Sequence, residues 1–148
     1  MYNDPLSHLP DPERQHAFYD GVTVKRGIAW VIDFAIVWVL MIPVLIFTAG
    51  LGIFFMPLLF VLTGFAYRVL TIAGGSATWG MRIMAIEFRN AFGERLDLTQ
   101  AFLHTLGYSI SLSIPVIQIA SVICMFVTER GQGLTDMALG TVALNRRA

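Results

Sequence analysis

The stretch Arg26–Thr48 reads RGIAWVIDFAIVWVLMIPVLIFT, and its reading decides the fold. After Arg26 only Asp33 is charged. At about 1.5 Å of helical rise per residue, this length covers the roughly 30 Å hydrocarbon core of a bilayer. A soluble domain could hide such a helix only at the centre of a large core. A chain of 148 residues has little room for one, and two more apolar runs, at 53–73 and 105–127, compete for the same place. The sequence therefore predicts an all-α membrane protein: a compact bundle of three apolar segments, the first at 27–48.

Asp33 makes the first segment chemically informative. It follows Arg26 by seven residues, which puts the two on nearly one face, about 10 Å apart along the axis. Arg26 can extend its head to the lipid headgroups, but Asp33 cannot. A carboxylate near the centre of a span costs about 2.5–3.5 kcal/mol on insertion scales, so it calls for a partner inside protein or water. The uncharged turn TAGLG at 48–52 sends the second run back as an antiparallel hairpin. Asp33 and Arg68 lie almost equally far from that turn, so they are expected at one depth, joined as an intramembrane ion pair.

Composition agrees with a membrane protein: 56% of residues are hydrophobic and 14% charged. The formal net charge of zero gives nucleic acid no reason to bind. Cys124 is the only cysteine, which excludes an intramolecular disulfide or a cysteine metal cluster. No cofactor and no metal are expected, and His8 and His16 read as solvated. Residues 1–26 read as a polar tail without the apolar core of a cleavable signal, and 27–148 as the membrane domain.

The placement of basic residues sets the expected sidedness. Lys25 and Arg26 flank the first span, and Arg82, Arg89 and Arg95 lie in the polar connection 74–104. Both belong in the cytoplasm. Within that connection, GGSATWG is a glycine-rich turn without the spacing of a phosphate loop. Alternating apolar residues at Met84, Ile86 and Phe88, and again at Leu96 and Leu98, flank AFG and predict a small cytoplasmic β-hairpin. Asp97 with Gln100 forms a candidate capping box for the next helix.

The third run, TLGYSISLSIPVIQIASVICMFV, raises a conflict. Three full crossings would put the C-terminal tail outside, yet the tail carries Arg130, Arg146 and Arg147. Two readings stay open: one span of 23 residues with the tail outside, or, slightly favoured, a hairpin broken near Pro115 with one arm from the Asp97 cap to Ile114 and a return arm from Val116 to about Thr128. A cytoplasmic tail would let Asp136 approach Lys25, Arg26 or Arg82.

Three pieces of sequence together resemble one family. They are KRGIAWVID, GGSATWGMRIMAIEFRNAFGERL and GQGLTDMALGTVAL. The pattern is similar to the RDD family of small integral membrane proteins, whose one arginine and two aspartates match Arg26, Asp33 and Asp136. The family's loop motif matches at Gly75, Thr78, Gly80 and Arg82. It departs at Trp79, where proline is usual, and at Met81, where lysine is usual. The resemblance implies a multi-pass protein of the bacterial inner membrane, in a family for which transport has been proposed.

No nucleophile, base and orienting group stand in a catalytic pattern, so the chain is not expected to be an enzyme. Its expected partners are the lipid bilayer and a second membrane protein or further copies of itself. The reading is a structural or assembly partner of another membrane protein. The alternative is a transporter of ions, protons or a small solute that uses Asp33.

Overall fold

A computed structural model of the chain describes residues 9–10 and 13–146. Helix α1, Val22–Phe47, contains the whole apolar core of the first stretch and continues through Pro43. Its buried residues are Val22, Ala29, Asp33, Val37 and Met41. From Ala29 onward they recur every four residues, which makes a single stripe. The other faces are apolar and open, with Val31 60% and Val39 63% exposed. A helix apolar all round that buries one stripe suits a lipid environment. A 3-10 turn at Leu51–Phe55 leads into helix α2, Met56–Gly75, with Pro57 in its first turn, where the missing N–H costs nothing. With the turns that precede them, α1 and α2 are long and apolar enough to cross a membrane.

After α2 come a short helix α3, Trp79–Ile83, and strand β1, Ile86–Arg89. Helix α4, Leu98–Ser113, starts at the expected capping box. The Asp97 carboxylate accepts from the Gln100 amide at 2.8 Å, and the Gln100 side chain accepts from the Asp97 amide at 3.2 Å. Ile114 is extended, and helix α5, Pro115–Val127, departs at 117° from α4. Proline cannot donate to the preceding turn and disfavours a helical residue before it, so the break falls at Ile114. Thr23 on α1 donates to the carbonyl of Met125 near the end of α5. The two arms thus leave and rejoin the same end of the molecule. Helix α6, Leu134–Leu139, and strand β2, Val142–Asn145, close the described chain.

The expected hairpin around AFG does not form. Strand β1 pairs antiparallel with β2, with Phe88 opposite Ala143. Asn90 instead ends β1 in a tight turn, its side chain accepting from the amides of Phe92 and Glu94. Residues 94–97 between this turn and α4 are too few to make a ladder. The Leu96 amide goes to the Ser76 hydroxyl, and Leu98 is already helical. The C-terminal strand offers a buried, uninterrupted partner: all four of its residues are buried.

The described part of the polar N-terminal tail lies on the surface, with residues 13–17 exposed, and is anchored at a few points. Leu9 is buried against Val142 and Leu144, and the Asn145 amide donates to the carbonyls of Ala17 and Asp20. His16 lies in a 3-10 turn, His16–Phe18. His8 and Arg147 lie outside the described residues. The flank, α3, the sheet and α6 form a polar cap at the end where α1 begins and α2 finishes. Under it sits a core of Val22, Ala29, Ile72, Met81, Ile86 and Phe88.

Candidate functional site

Asp136 stands in α6 and is 1% exposed. Its carboxylate accepts from four donors. Arg26 Nη1 lies 2.6 Å and the Gly133 amide 3.1 Å from Oδ2. His104 Nε2 lies 2.7 Å and the Thr141 hydroxyl 3.0 Å from Oδ1. The bond from its own N-cap amide is the usual fate of an acid in a first helical turn. Burial alone would raise the carboxyl. The Arg26 guanidinium and the hydrogen bond from His104 outweigh it and hold Asp136 well below the usual carboxylate range. Of the three basic residues expected near Asp136, Arg26 is the partner. Lys25 donates to Asn145, and Arg82 donates to the carbonyls of Ala77 and Thr71. Phe88 supports the cluster: Arg26 lies 5.4 Å over its ring, and His104 packs on it at 4.4 Å between centroids.

Asp33 occupies a second, different site. Tyr67 donates its hydroxyl to Oδ1 at 2.6 Å, Thr78 to Oδ2 at 2.7 Å, and the Gly80 amide to Oδ1 at 2.8 Å. The arrangement also starts α3. A helix leaves its first amides without internal partners. Here the Trp79 amide goes to the Tyr67 oxygen, Gly80 to Asp33, and Met81 to the Thr78 hydroxyl. Gly80 permits the contact, since a Cβ there would sit 2.3 Å from the Ala29 carbonyl and 2.7 Å from the Asp33 carboxylate. A Cβ on Gly75 would lie 2.7 Å from Arg82 Nη2, whose guanidinium ties the end of α2. Gly75, Thr78, Gly80 and Arg82 thus all serve the α2–α3 corner.

The expected Asp33–Arg68 ion pair is absent. Both residues line the same cavities, but Asp33 turns to α3. Arg68 Cζ instead lies 4.0 Å over the ring of Tyr108 on α4. Tyr67 and Arg68 are adjacent, and a helix turns by about 100° per residue, so only one of them can face Asp33. The shorter phenol wins, because it reaches Asp33 without carrying a second charge into the contact. Sequence reasoning passed over Tyr67, took Phe88 only as an alternating strand residue, and read His104 as an interfacial histidine at a helix start, whereas it is 1% exposed. A signal existed for His104, which shares a buried face with Ala101 and Thr105 at helical spacing.

A cavity of about 670 Å³ lies beside both sites, lined by Arg26, Asp33, Arg68, His104, Tyr108 and Asp136 among others. Among the described residues no group of three His, Cys, Asp or Glu side chains could hold a metal.

Two long apolar helices, each carrying a motif carboxylate or its partner, under a cap tied down by side chains, fit an integral membrane protein. The sequence model of the RDD family matches residues 21–140, and the chain belongs to that family. No curated protein and no solved structure is matched.

Proposed function

We propose that the chain is a non-enzymatic, multi-pass module of the bacterial inner membrane that acts as a structural or assembly partner of another membrane protein. In this reading the cap faces the cytoplasm, and α4 with α5 is the third apolar segment of the bundle, entering and returning on the cytoplasmic side. The observation that supports it is that donors of the chain itself take up most of the capacity of both motif carboxylates, four on Asp136 and three on Asp33, against about four sites per carboxylate. Groups occupied in this way hold elements together and leave little capacity for cargo. Lys25, Arg26, Arg82, Arg89, Arg95 and Arg146 gather at the capped end, in keeping with a cytoplasmic location.

Purification of the full chain in mild detergent should recover a defined membrane protein in constant ratio, and proteoliposomes of the pure chain should be inert. Ion-dependent flux in those proteoliposomes, lost in Asp33→Asn, would instead establish the second reading, transport by a homo-oligomer. That reading draws on the cavity, which is lined by Asp33, His104 and Asp136. Sidedness has its own check. In a Cys124→Ser background, an impermeant thiol reagent added outside should label Leu51→Cys and spare Arg95→Cys.

A further inference from the structure

Arg68 is the charge in the helical hairpin that the fold does not satisfy. Its neighbours in function are all provided for: Arg26 has Asp136 and the Gly131 carbonyl, and Asp33 has Tyr67, Thr78 and Gly80. The Arg68 side chain donates no hydrogen bond to any described residue, and its Nε is sealed from solvent without an acceptor. The ring of Tyr108 covers one face of the guanidinium, and Trp30 in turn donates to the Tyr108 hydroxyl, which fixes that ring. A planar guanidinium held by one face keeps its fork of N–H donors in a fixed plane, and such a fork matches a phosphate or carboxylate. A cation retained at this depth without a protein acceptor is costly unless something else supplies one.

The surroundings say what kind of anion would fit. Arg68 lines the 670 Å³ cavity, which is far larger than an inorganic anion needs. Away from the charges the wall is apolar, and its rim residues Ile28, Leu112 and Phe126 are 45%, 44% and 67% exposed. Ser111 and Gln118, bonded to each other at 3.0 Å, add polar groups beneath the α4–α5 break. The polar side of the cavity thus carries Arg26 and Arg68 against Asp33 and Asp136, and of these four charges Arg68 is the one without a protein acceptor, while the rim is greasy and open.

We propose that this cavity binds an anionic amphiphile from the bilayer, with the phosphate or carboxylate head on the Arg68 guanidinium and the acyl chain leaving across the apolar rim. The inference does not depend on the assembly reading, because lipid occupancy is measured on the purified chain alone.

The test is native mass spectrometry of the full chain in detergent, titrated with dioleoyl phosphatidylglycerol or dioleoyl phosphatidylcholine. Phosphatidylglycerol should bind about tenfold more tightly or better, the scale of one charge-assisted contact. Arg68→Gln should remove that preference, Arg68→Lys should restore part of it, and the exposed Arg95→Gln should leave it intact. Gly27→Leu is the second route, since a Cβ at Gly27 meets nothing within 4 Å and the side chain would occupy the cavity with every charge in place. It should lower occupancy even if Arg68→Gln does not fold. Equal binding of the two lipids, a preference unchanged in a folded Arg68→Gln, or an occupancy unchanged in Gly27→Leu would overturn the proposal. Displacement of phosphatidylglycerol by inorganic phosphate at matched concentration would also overturn it, by showing that the site reads a free anion.

Discussion

The two aspartates of the family motif are both buried, yet they are satisfied by opposite means. Asp136, within the cap, faces a full cation and an imidazole; Asp33, on the helical hairpin, faces two hydroxyls and a backbone amide. Arg26 stands near the start of α1, where its head can be drawn from the interface with modest desolvation. Asp33 stands about two turns deeper, where a paired arginine would have to be desolvated as well. Neutral dipoles fixed by the fold solve the deeper problem without a second buried charge. The contrast teaches that the partner of Asp136 has to keep its charge, while the partners of Asp33 have to keep their positions.

The largest effect is expected where charge is stranded. Asp136→Asn removes the counter-charge of a guanidinium that is only 12% exposed, and breaking such a pair costs about 3–5 kcal/mol. Protease cleavage within 128–146 should accelerate accordingly. The pH dependence follows from the sign of the shift. Because the folded Asp136 carboxyl lies below its ordinary value, its contribution is complete above about pH 5 and is lost progressively as pH falls further. The advantage of wild type over Asp136→Asn should therefore be flat from neutral pH to about pH 5 and shrink in stronger acid. An advantage that is already falling at neutral pH would mean that Arg26 does not neutralise Asp136.

A smaller loss is expected at the crossing of α1 and α3. Gly80→Ala pushes a methyl group against the Ala29 carbonyl and the Asp33 carboxylate, at 2.3 and 2.7 Å, and neither can retreat without moving α1. Overpacking of this kind costs about 1–3 kcal/mol. Thermal unfolding in detergent should show the loss, and Thr78→Val should not deepen it fully, since both changes open the same contact.

Much of this architecture was legible because it is local or forced by topology. The length of α1, the uncharged turn, Pro115 and the Asp97–Gln100 spacing each act within a few residues. Placing the basic tail with Lys25 and Arg26 then brought Asp136 within reach of Arg26. What escaped was decided at long range. The alternation at Ile86 and Phe88 reports that a strand exists, not that its partner is Val142–Asn145. Equal distance from the turn points to Arg68 and Asp33 lining the same cavities, as they do, whereas the rotation of α2 decides which side chain of the Tyr67–Arg68 pair faces Asp33.

That last distinction can be sharpened by a pair of double-mutant cycles. Asp33→Asn with Tyr67→Phe should show a coupling of about 1 kcal/mol, since the two share a buried hydrogen bond. Asp33→Asn with Arg68→Gln should show less, because no contact joins them. A larger coupling to Arg68 than to Tyr67 would restore the ion pair as the tie of the hairpin.

The smallest effect belongs to a third carboxylate, which serves as the exposed reference for the other two. Asp97 caps α4 through the Gln100 amide at 2.8 Å, and that bond lies in solvent. Water can replace the lost acceptor in Asp97→Ala, so the cost should be that of a surface cap, about 1 kcal/mol. No cation is stranded and no buried amide is left bare. If Asp97→Ala destabilises the chain as much as Asp136→Asn, burial is not what distinguishes the motif aspartates, and the contrast between cap and hairpin fails. If it costs about 1 kcal/mol while Asp136→Asn costs several times more, the excess measures what a buried counter-charge adds beyond a hydrogen bond. Unfolding midpoints of the two variants in one detergent would make the comparison. The helical content of α4 by hydrogen exchange would confirm that the cap, and not the cavity wall, was disturbed.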